Sequence, residues 1–195
     1  MFYKYKLTSY ILNAALERDI IYHVTYLANI QSISRQGLRP DLGGRYHAPA
    51  YREISRGKIF LGGDLDSARG WLYALKEHAE NEQEPRDLND PKFIPWILAI
   101  DSSDINISKD ELGEGRVWGS LKTEDWIPPT HISFYSPTIN RWIPIQTFSS
   151  KLAPSEFGIR EYNPVEEGYL SQDEWNGEPW YEIDEEVWNS VPEAG

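Results

Sequence analysis

The chain has 195 residues, a net charge of −12 at neutral pH, eight Trp, twelve Tyr and no Cys. That length buries a sizeable core in one domain with an appendage, and the missing thiols exclude disulfides, thiolate zinc sites and a Cys nucleophile. Only Lys151 and Arg160 are basic beyond residue 150, so about ten of the twelve net negative charges fall in residues 151–195, and no strongly basic face for gripping duplex nucleic acid is evident.

Residues 7–18 carry Leu7, Ile11, Leu12, Ala15 and Leu16 at helical spacing. Asp19 ends that helix, and residues 20–25 read as a short apolar strand. A second helix is predicted over residues 27–36, with Gly37 placed for a left-handed C-cap and Pro40 as a stop. Residues 41–57 show no period and read as a loop. Residues 59–61 form the next strand, and Asp64 or Asp66 caps a helix over residues 67–80. Residues 81–92 are polar. PWILAID at 95–101 is a buried strand, and further strands are expected over 117–121, 131–135 and 141–148, with WIPPT as a turn.

Helices dominate the first half and strands the second, so the fold class is α+β around a mostly antiparallel or split sheet. We divide the chain into a body, residues 1–150, and an acidic extension, residues 151–195. Phe157, Tyr162, Trp175, Trp180 and Trp188 in that extension argue for its docking on the body. No apolar run is long enough to cross a bilayer, and the N-terminus lacks an apolar leader segment. A cytoplasmic protein is expected, or one acting in a host cytoplasm.

His23 and Thr25, at i and i+2 of the first strand, share a face. A polar pair on an otherwise apolar strand is what a small-molecule site needs. The four His (23, 47, 78 and 131) are scattered, so no metal site is expected. There is no nucleophile elbow, and the glycine turns at 42–44 and 62–64 lack the pattern of a phosphate-binding loop.

Three segments in order carry a resemblance. YHVTYLANIQSISRQGLRP, IFLGGDLDSARGW and VWGSLKTEDWIPPTHIS together resemble the ADP-ribosyltransferase fold. The likeness is to its small single-domain members, including DNA-modifying ADP-ribosyltransferase toxins and, more distantly, RNA 2′-phosphotransferases. It covers residues 20–135 and implies a split, mostly antiparallel sheet and NAD as substrate. His23 would then bond a ribose hydroxyl, with Thr25 beside it. Phe60 would stack on the nicotinamide, with Tyr73 or Trp71 in reserve, while Arg45, Arg52 and Arg56 would meet the pyrophosphate. The late strand, residues 117–121, holds no acid, so either Glu124 or Glu114 would supply the carboxylate that favours the cationic transition state.

The resemblance implies an ADP-ribosyltransferase modifying a protein or nucleic-acid acceptor, a toxin or a phage–host conflict effector, with an inhibitor or antitoxin as partner. Two alternatives stand beside it. One is a degenerate member of the fold that binds NAD, a nucleotide or a partner without turnover. The other places function in the acidic tail, as an interaction arm or nucleic-acid mimic.

Overall fold

The computed structural model describes residues 20–42, 56–80, 90–110, 119–148, 154–168, 171–173, 177 and 179–194. The β-branched run IIYHVTY forms β1 (Ile20–Tyr26), which pairs antiparallel with β3 (Pro95–Asp101) along its whole length, from Ile20 opposite Asp101 to Tyr26 opposite Pro95. β3 is buried at every position but Asp101, as a strand covered on both faces must be. Around this pair stand β2 (Ile59–Gly62), β4 (Ser108–Lys109), β5 (Ser120–Thr123), β6 (Ile132–Ser136) and β7 (Arg141–Pro144). Together they form one seven-stranded sheet in the order β4-β5-β2-β1-β3-β6-β7, with antiparallel neighbours throughout. The class is α+β.

Two helices cover the two faces. α1 (Leu27–Gln36) starts without a side-chain cap; the Ile94 carbonyl takes the Leu27 amide at 3.0 Å instead. Gly37 ends it at φ 72°, ψ −170°, a positive φ followed by extended backbone rather than the left-handed helical cap expected. The reason is tertiary. Leu38 and Ile127 exchange backbone hydrogen bonds at 2.9 and 3.0 Å, and a Cβ on Gly37 would lie 2.1 Å from the Ile127 oxygen.

α2 (Leu65–Glu80) is capped by Asp64, whose carboxylate accepts from the Ser67 amide at 2.7 Å and the Ser67 hydroxyl at 2.6 Å. It begins two residues earlier than the expected 67–80. Gly62 lets it close on the sheet, since a Cβ there would stand 2.9 Å from the Ala68 nitrogen. Gly62 faces Tyr22, and the Tyr26 hydroxyl donates to the Leu75 carbonyl at 3.1 Å. Thus α2 lies over the Tyr22–Val24–Tyr26 face of β1, and His23 and Thr25 point to the other.

Prolines account for the later departures from expectation. Pro128 and Pro129 lead a short 3-10 turn (Pro129–His131), so β6 starts at Ile132 rather than 131. Pro144 ends β7 and a second 3-10 turn (Ile145–Thr147) follows, so the strand expected over 141–148 stops halfway. Of the strand expected over 117–121, residues 117 and 118 lie outside the described residues; β5 runs Ser120–Thr123 and ends two residues beyond the expectation. The helix expected over 7–18 and most of the loop at 41–57 lie outside the described residues.

Beyond residue 150, β8 (Ile159–Tyr162) and β9 (Trp180–Ile183) pair as a separate two-stranded sheet, and α3 (Glu185–Asn189) follows. Phe157, Ile159, Trp188 and Val191 belong to the same hydrophobic core as β1 and β3. Phe157 meets Trp96 edge-on, ring centroids 5.2 Å apart.

Candidate functional site

β1 pairs with β3 over seven residues but with β2 through a single pair, Tyr22 opposite Gly62. His23 is the next residue. Its Nδ1 lies 2.8 Å from the Phe60 carbonyl oxygen of β2. A carbonyl only accepts, so Nδ1 carries the hydrogen and donates it. Burial pulls the imidazole below its ordinary value of 6.5, more than the Phe60 hydrogen bond raises it. The ring is therefore neutral at physiological pH, with Nε2 as a bare acceptor for a hydroxyl.

Thr25 shares the His23 face and is buried. Its Oγ1 accepts from Asn29 Nδ2 at 3.0 Å, tying the end of β1 to the first turn of α1. Phe60 meets His23 through its carbonyl. Alternation along β2 turns its ring toward the side of Gly62 and Lys122. Tyr73 and Trp71 ride on α2, over the face opposite His23, and Tyr73 packs edge-on against Trp188 with centroids 6.2 Å apart. The structure thus brings His23 and Thr25 together and sets the three aromatic candidates apart from them.

Glu124 directly follows β5 and is exposed. Thr123 pairs with Ile59, three residues along β2 from the Tyr22–Gly62 pair, where β1 and β2 have parted. The backbone around Glu124 is pinned. Thr123 Oγ1 donates to the Asn106 carbonyl at 2.7 Å, and Asp125 accepts from the Asn106 amide at 2.8 Å and from its side chain at 3.0 Å. Glu114, Arg45 and Arg52 lie outside the described residues, while Arg56 is exposed.

Two residues near this segment escaped the sequence reading. Trp126, inside what reads as a simple turn, is 55% exposed, yet its indole N–H is locked onto the Gln36 carbonyl at 2.7 Å. Asp110 is a carboxylate buried to 1% exposure beside β5, its amide bonded to the Ser120 carbonyl. Neither has a signal in local sequence, because exposure and burial there follow from which strands become neighbours.

A cleft of about 320 Å³ lies elsewhere, at the start of α2, lined by Asp64, Leu65, Asp66, Arg69, Val191 and Glu193. Three carboxylates and one already engaged guanidinium would repel an anionic nucleotide, so the His23 side is the better candidate site. Among the described residues, no group of three His, Asp or Glu is placed to hold a metal, and no helix is long and apolar enough to cross a membrane. Comparison with family models, with curated proteins and with solved structures returned no match.

Proposed function

We propose that this chain is an NAD-dependent ADP-ribosyltransferase acting on a protein or nucleic-acid acceptor. The observation that carries the reading is the parting of the sheet after Tyr22–Gly62, with a neutral His23 at the gap presenting Nε2. Such a parting is what the split sheet of this fold requires, and an acceptor nitrogen there suits a ribose hydroxyl. Glu124 stands just past the end of β5, on a segment braced by Asn106. In the reaction the bond between ribose C1′ and the nicotinamide nitrogen breaks, its electron pair neutralising the pyridinium. The acceptor forms a new bond to C1′ and loses a proton. The Glu124 carboxylate would hold a ribose hydroxyl and offset the positive charge that develops on the sugar.

The degenerate reading, binding without turnover, draws on the position of Glu124 beyond the end of β5 rather than within it. Nicotinamide release from NAD, measured with cell lysate as a source of acceptor, separates the two. We expect release by the intact chain, falling at least about a hundredfold in Glu124→Gln and in His23→Ala. The Glu114→Gln variant, measured alongside, decides between the two candidate acids. NAD binding that weakens with His23→Ala, without any release, would favour the degenerate fold. Neither release nor binding would overturn the NAD reading and direct attention to the acidic extension.

A further inference from the structure

Residues 184–194 are joined to the rest of the chain in an unusual way. Arg69 on α2 donates to the carbonyls of Trp188, Asn189 and Val191 at 3.4, 2.9 and 3.1 Å, so one guanidinium holds the C-terminal end of α3 and the chain beyond it. Lys76, two turns along α2, pairs with Glu185 at 2.7 Å and stands 6.0 Å from the Trp188 ring. The Trp142 indole donates to the Pro192 carbonyl at 3.0 Å, and the Ala194 amide donates to the Tyr22 hydroxyl at 3.1 Å. The apolar anchors are few: Trp188 and Val191, with Val187 and Ala194 partly buried.

Three features weaken this attachment. Trp188 is 2% exposed, and its indole N–H is buried without an acceptor among the described residues, a loss that water makes good when the ring lifts out. The Lys76–Glu185 pair is substantially exposed and contributes little. The segment also carries Asp184, Glu185, Glu186 and Glu193 in a chain whose net charge is already −12, with Arg69 and Lys76 as the cations that meet it.

We propose that residues 184–194 form a strap that lifts off α2 as one unit while the sheet stays folded, its closure latched by Arg69. Opening would uncover the Trp188 socket, the Arg69–Tyr73–Lys76 stripe of α2 and the cleft at the start of that helix. It is a conformational device independent of the His23 site.

Amide hydrogen exchange on the intact chain tests it. Three strap amides report: Val187 and Ser190, bonded to the Asp184 and Glu186 carbonyls inside the strap, and Ala194, bonded to the Tyr22 hydroxyl. A five-residue helix does not hold alone in water, so lifting melts α3 and gives all three one common opening equilibrium, at least about a hundredfold more frequent than that of β3 amides such as Leu98. Arg69→Ala should raise strap exchange about tenfold or more, and Lys76→Ala, a milder variant, by a smaller factor. Strap amides that exchange only with β3, or variants that shift strap and β3 equally, would overturn the proposal. So would Val187 and Ser190 exchanging rapidly while Ala194 stays protected, since that is helix fraying rather than lifting.

Discussion

His23 illustrates how one residue is given its chemistry by its neighbours. Its half-buried ring donates through Nδ1 to the Phe60 carbonyl, and burial lowers its pKa from 6.5. Above that value the folded and unfolded chains both hold a neutral imidazole, and the group makes no pH-dependent contribution. As pH falls through it, the unfolded chain takes up a proton that the folded chain resists, so stability declines until the lower folded value is passed. We expect the urea midpoint to drop between about pH 7.5 and about pH 5.5 by more in the native chain than in His23→Gln. Because the residue keeps some exposure, the difference should be modest. The pattern H-x-T was legible in the sequence. The neutral, Nδ1-protonated state was not, since it depends on a carbonyl 37 positions away.

At the scale of elements, the junction between α1 and the 126–128 turn shows what a single glycine permits. Gly37 has positive φ and meets the Ile127 backbone, while Trp126 donates to Gln36 just before it. A methyl group at Gly37 would have to displace backbone, and the L-residue would also be strained at that φ. Gly37→Ala should therefore lower unfolding free energy by at least about 2 kcal/mol, read from urea denaturation, and release the Leu38–Ile127 bridge. A loss below about 0.5 kcal/mol would show that the turn simply moves aside. The helical period, Gly37 and Pro40 made α1 readable to the residue. The need for glycine came from the Ile127 turn far along the chain, and the same local view failed at β7, where Pro144 stopped a strand that hydropathy continued.

For the molecule as a whole, charge sets the terms. A net charge of −12, most of it beyond residue 150, means that the folded chain holds carboxylates closer together than the unfolded one does. Screening should relieve this, so we expect the melting temperature to rise between about 0.02 M and about 0.3 M NaCl. Scanning calorimetry checks it; a falling melting temperature would mean that ion pairs such as Lys76–Glu185 outweigh the repulsion. The acidic extension nonetheless shares the core of the body through Phe157, Ile159, Trp188 and Val191. Its aromatics hinted at docking, but Trp188 is received by α2, which presents Arg69 and Lys76, while Phe157 meets Trp96 of β3 on the other face.

By itself the sequence determined what depends on near neighbours: the β-branched and apolar runs of β1 and β3, the period of α1, the Asp64 cap and the α+β class. These follow from side-chain alternation, helical spacing and capping within a few residues. Only the tertiary structure decided what depends on distant partners. It set the parting of β1 from β2 at His23, the facing of Phe60 away from it, the bracing of Glu124 by Asn106 and the latching of the C-terminus by Arg69. Each of these rests on a hydrogen bond or strand pairing across the fold, formed only when packing brings the two partners together.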